Sequence, residues 1–196
     1  VVDKPAGLLS VPGRGADKQD SLASRVQARY PGARVVHRLD MSTSGLLVLA
    51  LDADIQRALG RQFELRQVDK RYVAVVAGRV ADMERTIDLP LITDWPNRPL
   101  RIVDHATGKP SVTRWRVLRH DATGSCTRVE LEPVTGRSHQ LRVHLRELGH
   151  PILGDTLYAP PAVQAMAARL LLHASALRFE HPGTGEQLAF ESPPPF

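Results

Sequence analysis

Apolar and polar residues alternate in several short runs of this chain and recur at helical spacing in others. Thr127, Val129 and Leu131 alternate with Arg128, Glu130 and Glu132, the period that gives a strand one buried and one wet face. Residues 111–118 and 71–76 also read as strands, and Tyr72, Ala74 and Val76 share a face of the latter. Two more apolar runs, residues 35–39 and 46–51, flank a polar interruption, and the second is apolar enough to be buried on both faces. Residues 173–180 and 187–191 surround Pro182-Gly183-Thr184-Gly185, the pattern of a hairpin.

Ile55, Leu59 and Phe63 sit at helical spacing behind a capping Asp52 or Asp54 and predict a helix through Phe63. Asp20 or Ser21 opens a second predicted helix, which runs to about Tyr30 and is closed by Pro31-Gly32. A third is expected over 138–148 with Gly149 as its stop. On it Leu141, Leu145 and Leu148 share one face, and His139, Arg142 and Arg146 another. Residues 162–172 predict a further helix, whereas 88–99, with Pro90, Pro96 and Pro99, read as irregular. Many strands with helices placed irregularly among them predict an α+β fold: a largely antiparallel, mixed sheet with flanking helices and loops. With no repeat, low-complexity tract or long linker, residues 1–196 read as a single domain.

Composition adds a bias toward polyanions. Lysine and arginine number 26 against 21 acidic residues, a net charge of +5 and a sequence pI near 9.9, a balance that favours nucleic acid. The cations cluster: Arg137, Arg142 and Arg146 in one place, Arg61, Arg66, Lys70 and Arg71 in another. Arginine's planar fork suits phosphates and base edges better than a lysine ammonium. The lone Cys126 excludes an internal disulfide, and His37, His139, His144 and His150 fall on different elements, so no metal site is expected. No apolar stretch reaches membrane-spanning length and no signal peptide is visible, so the expected location is the cytoplasm. The chain starts at Val1, within a predicted strand, and a short preceding segment is expected.

Three stretches carry candidate chemistry. In "VVHRLDMSTSGLLVLA", a strand through Asp40 would point Arg38 and Asp40 the same way, with His37 and Leu39 opposite. Ser42, Thr43, Ser44 and Gly45 would keep the following turn small and leave a ligand room to approach the carboxylate. On spacing alone the simplest reading is an Arg38–Asp40 ion pair. In "EPVTGRSHQLRVHL" a Thr-Gly-Arg turn leads into the helix that presents His139 and Arg142. Its N-terminal N–H groups favour an anion, and a solvated basic face is the plainer alternative. In "DKRYVAVV" Tyr72 is either a pocket wall or ordinary core.

Taken together, "HRLDMSTSGLLV", "KRYVAVV" and "GRSHQLRVHL" resemble the three motifs of the RluA-type pseudouridine synthases, in the family's order and at its spacing. "DKPAGLLSVPG" is similar to the family's N-terminal stretch and "GHPILGDTLY" to the segment after its third motif, so the resemblance covers nearly the whole chain. "DLPLITDWPNRP", "ATGKP" and "RLLLHA" look closest to the dual-specificity branch that gives the family its name. No S4-like RNA-binding domain is expected before the motifs, which would fit that branch, and Ser138 keeps the hydroxyl where many relatives have threonine.

The resemblance implies a pseudouridine synthase catalytic fold around a central RNA-binding cleft. It implies isomerisation of specific uridines in the tRNA anticodon stem-loop and in 23S ribosomal RNA, with no cofactor and no metal. Asp40 would be the essential aspartate, acting ionised. Arg142 would pair with it and keep it charged, and Tyr72 would pack against the target base and serve the closing proton transfer. The base must leave its stack, and Arg38 would fill the vacated place. Arg137 and His139 would contact phosphate or base, and a monomer is expected. A catalytically silent RNA-binding module is the first alternative, against which stand Asp40, Tyr72 and Arg142, all present. A glycoside hydrolase would need two carboxylates across the scissile bond. Its candidates, Glu130 and Glu132, sit on the predicted wet face of a strand.

Overall fold

Of the two candidate caps, Asp20 and Ser21, it is Ser21 that caps the first helix. Its hydroxyl accepts from the Ser24 N–H, and the Ser24 hydroxyl in turn accepts from the Ser21 N–H. This computed structural model describes residues 1–196, and its contacts divide the chain into two units. One comprises 1–70 with 173–195, the other 71–172 with Phe196. In the first, β1 (Val2–Lys4) is followed by α1 (Leu22–Arg29), β2 (Arg34–Val35), β3 (Ser44–Leu47), β4 (Leu49–Ala50) and α2 (Ala53–Glu64). β1 pairs antiparallel with β3, and β2 with β4. Asp52 caps α2 by accepting the Ile55 N–H at 2.8 Å. Leu59 of α2 joins Leu46, Val48 and Ala50 in an apolar cluster, with Ile55 and Phe63 packed against it.

The chain enters the second unit within β5 (Asp69–Ala77), which is followed by β6 (Glu84–Asp88), the short hairpin β7 (Leu91–Thr93) and β8 (Arg101–Val103), β9 (Val112–His120) and β10 (Cys126–Pro133). β5, β10, β9 and β6 pair antiparallel in that order, and β7 pairs with β8. The alternation predicted for β10 holds, with Thr127, Val129 and Leu131 buried. On the opposite face Glu130 meets Arg71 and Arg116, and Glu132 meets Arg114. Those carboxylates serve arginine pairs across the sheet, which removes the glycosidase alternative's two candidates. α3 (Gln140–Glu147) packs Leu141 and Leu145 into a core with Val76, Trp115, Val129 and Leu131.

Two expectations fail here. Residues 88–99, read as irregular, contain β7, which pairs with β8 just beyond them; strands of 3 residues are too short to show a period. The helix predicted over 162–172 is only α4 (Pro161–Gln164). Beyond it the chain turns and bends through 165–169 and is then held in sheet-like pairing, because the Leu171 N–H donates to Leu153 O at 3.0 Å while its carbonyl accepts the Val75 N–H at 3.1 Å. Leu170 and Leu172 enter the core on either side, so tertiary pairing overrides helix propensity. The chain then returns to the first unit as the hairpin of β11 (Leu172–Glu180) and β12 (Gln187–Glu191). β11 pairs parallel with β3, Ala174 opposite Gly45. No helix is long and apolar enough to cross a membrane.

Candidate active site

Residues 36–43 are not the strand expected through Asp40. β2 ends at Val35 and β3 begins at Ser44, and the backbone between them is bound by groups from elsewhere in the unit. The Ser10 hydroxyl donates to Leu39 O at 2.6 Å and accepts the Leu39 N–H at 3.0 Å. Met41 O accepts the Gly7 N–H at 2.8 Å and the Lys4 ammonium at 3.0 Å. That ammonium also donates to Pro5 O at 2.9 Å and Leu8 O at 2.7 Å, on a side chain that is fully buried. The Thr43 N–H closes a turn on Asp40 O at 3.1 Å. Asp40 therefore sits on a turn gripped from both sides by the N-terminal loop, half-buried, with Arg38 exposed beside it.

No ion pair joins Arg38 to Asp40, and the simple ion-pair reading falls with the strand geometry that motivated it. The small residues after Asp40 also differ from expectation. Thr43, Ser44 and Gly45 are buried, and the Ser44 hydroxyl bonds to His173 Nδ1 at 2.9 Å. Their size serves packing against β11 rather than ligand access.

His37 supports the same turn. Its Nε2 accepts the Val48 N–H at 3.1 Å, at the break between β3 and β4, and its ring stacks on Phe63 with centroids 4.5 Å apart. Burial, with a smaller contribution from the Lys70 charge, pushes its pKa from 6.5 down to about 3. Between those values the unfolded chain binds a proton that the folded chain refuses, so stability falls as pH drops through that window. The loss is about 1.4 kcal/mol per pH unit below 6.5. His37→Gln keeps a neutral acceptor and removes the titration. Its urea midpoint is expected to shift less between pH 7 and pH 5 than that of the wild type, and equal shifts would show that His37 is not the sensor.

The second unit holds the arginine. α3 starts later than predicted, because His139 takes a left-handed conformation, φ 57° and ψ 13°, that breaks the helix before Gln140. The buried Gln140 side chain ties down the Thr-Gly-Arg turn: its Oε1 accepts the Thr135 hydroxyl at 2.7 Å and the Arg137 N–H at 3.0 Å. The Gln140 N–H donates to Arg137 O at 3.2 Å, so one of the N–H groups expected to receive an anion is used within the turn. Arg137 is exposed.

Arg142 is not on a solvated face. Its side chain is 2 % exposed and its partner Asp155 is 0 % exposed. Nε donates to Asp155 Oδ2 at 2.8 Å and Nη2 to Oδ1 at 2.6 Å. The guanidinium carbon of Arg142 lies 5.0 Å from the Tyr158 ring centroid and that of Arg146 5.4 Å. The Tyr158 hydroxyl accepts the Arg101 N–H at 2.9 Å and meets His139 Nδ1 at 2.6 Å. Tyr72, half-buried on β5 opposite Leu131, packs against the core that holds Ala74 and Val76, so the shared face read from its alternation holds.

A family model described as RNA pseudouridylate synthase matches residues 1–147. The chain belongs to the RNA pseudouridylate synthase family. Over all 196 residues it is 53% identical to the dual-specificity RNA pseudouridine synthase RluA of Escherichia coli K12, covering 89% of that protein. It is 54% identical over 191 residues to the Yersinia pestis protein of the same name, covering 97% of this chain and 92% of that protein. Among solved structures, human RNA pseudouridylate synthase domain containing 1 matches with a TM-score of 0.82 and 33% identity, over 100% of this chain and 80% of that one. Human domain containing 4 matches at 0.77 and 28%, over 98% and 84%. Pseudouridylate synthases are isomerases acting on RNA, and this chain is one.

In this pseudouridylate synthase the clamps around Asp40 and Arg142 escaped the sequence reading. Lys4 and Ser10 lie in "DKPAGLLSVPG" and Asp155 in "GHPILGDTLY", so the resemblance marked their segments. Nothing in the spacing shows that Ser10 binds Leu39, 29 positions away, or that Asp155 holds Arg142.

Proposed function

We propose that this protein isomerises uridines presented by the anticodon stem-loop of tRNA and by stem-loops of 23S ribosomal RNA, with Asp40 as the essential carboxylate. The observation that carries this reading is full-length identity above one half to proteins named dual-specificity RNA pseudouridine synthases. In the reaction the bond from C1′ to N1 breaks, the base turns, C5 bonds to C1′, the C5 proton leaves and N1 takes up a proton. Whether Asp40 attacks the sugar or abstracts a proton to give a glycal, it must be ionised. Arg142 supplies the positive charge that favours that state. Tyr72 packs on the target base and serves the final proton transfer, and Arg137 and His139 contact phosphate or base. The enzyme works without cofactor or metal, as a monomer in the cytoplasm.

The test is tritium release from C5 of labelled uridine in tRNA and in 23S fragments. Release from both supports the dual substrate, and release from only one removes the other from the proposal. A target inside a folded loop has to be extruded first. Arg38, exposed and two residues from Asp40, is assigned the vacated place in the stack. Arg38→Ala should therefore slow release from a folded stem-loop about tenfold more than from an unstructured oligonucleotide of the same sequence, since stacking on a base is typically worth ~1–3 kcal/mol. Equal slowing on both substrates would exclude this role.

A further inference from the structure

We infer that Asp155 is a positioning residue for the isomerisation, acting through Arg142 by fixing the plane and reach of its guanidinium. The inference rests on the role given to Arg142 above. Asp155 engages the side-on edge of the guanidinium through two parallel hydrogen bonds of 2.8 and 2.6 Å, the geometry that constrains orientation most strongly. The edge carrying Nη1 is then the one through which Arg142 acts on anything else.

Asp155 is itself immobilised. Its Oδ1 also accepts the Leu157 N–H at 2.9 Å and the Tyr158 N–H at 3.1 Å, so the carboxylate closes its own turn and cannot swing away with the arginine. The turn is fixed from behind at Gly154. There φ is +72° and an added Cβ would lie 2.0 Å from Arg169 O, so the backbone before Asp155 is pressed against the backbone of the bend that precedes β11. Tyr158, whose hydroxyl bonds to His139 at the start of α3, covers one face of the guanidinium. Stability alone does not call for such a pair. Two buried charges carry a desolvation cost that apolar side chains of the same volume avoid. What the pair supplies and an apolar replacement cannot is a cation held in one orientation.

The experiment is a double-mutant cycle on the full chain, with single-turnover tritium release for chemistry and filter binding for RNA affinity. Asp155→Asn retains an acceptor for the two backbone N–H groups and loses the charge and the second bond to Arg142. It is expected to lower the single-turnover rate constant by about 100-fold, the effect of a misplacement near 1 Å, with RNA affinity changed less than ~3-fold. In an Arg142→Lys background, which already lacks the fork, the same substitution should cost no more than ~3-fold further. Losses that multiply in the double variant would show that Asp155 acts independently of Arg142 and overturn the inference, as would a wild-type rate for Asp155→Asn. A slow Asp155→Asn beside an Arg142→Lys of wild-type rate would instead overturn the role given to Arg142, and this inference with it. Where thermal melts show that Asp155→Asn does not fold, Asp155→Glu takes its place. It keeps the charge but displaces the guanidinium by a methylene, and the same split between rate and affinity is expected, a wild-type rate again overturning the inference.

Discussion

Replacing Asp40 by asparagine is expected to abolish tritium release, by at least ~1,000-fold or about 4 kcal/mol of transition-state stabilisation, while leaving RNA affinity within a few-fold of the wild type. The separation follows from where Asp40 sits. Its turn is held through backbone groups, by Ser10 on Leu39 and by Lys4 and Gly7 on Met41, so an isosteric amide leaves the turn in place. Only the negative charge is lost, and both routes considered for the isomerisation need it. Phosphate contacts elsewhere continue to supply affinity, which should keep its dependence on salt. Residual release above a hundredth of the wild-type rate would remove Asp40 from the centre of the reaction, and a parallel loss of binding would assign it to substrate contact.

The second large effect is on stability. Gly45→Ala is expected to destabilise the protein by at least ~3 kcal/mol, a fall in Tm of roughly 6–12 °C for a chain of this size. Gly45 has φ +112°, and a Cβ there would lie 2.3 Å from Ala174 O and 2.5 Å from Ala174 N. Those are backbone atoms of the strand paired parallel to β3, so nothing flexible can give way. Gly60→Ala makes the opposing control. Its Cβ would meet nothing within 4 Å, and within α2 the change should stabilise by about 0.5–1 kcal/mol. Calorimetry on the two variants checks both signs, and a Gly45→Ala melt within 2 °C of the wild type would mean that the β3–β11 contact is looser than described.

Legibility followed the range of the interactions. Elements set by local pattern were read close to their true bounds: α1 from Ser21, α2 from Asp52, β10 from its alternation, and the β11–β12 hairpin from its turn. The run ending at Leu39 looked like strand because it is apolar, yet Ser10 claims its backbone at Leu39 from 29 positions away. The tract after Ala162 looked helical by composition, but Leu171 answers to Leu153 and Val75. Of the candidate site residues, Asp40, Tyr72 and Arg142 came from motif resemblance, and their physical surroundings did not come with it. Arg142 shows the difference most plainly. Its helix face suggested solvent, whereas a buried carboxylate 13 residues later makes it an interior cation.

The division of the chain carries a consequence for biosynthesis. The unit that bears Tyr72 and Arg142 is one uninterrupted stretch from residue 71 to 172, whereas the unit that bears Asp40 takes residues from both ends, 1–70 and 173–195. On a ribosome the arginine's unit can close while the aspartate's still lacks the strand that packs on Gly45. Asp40 is thus among the first of these residues to be made and the last to be housed.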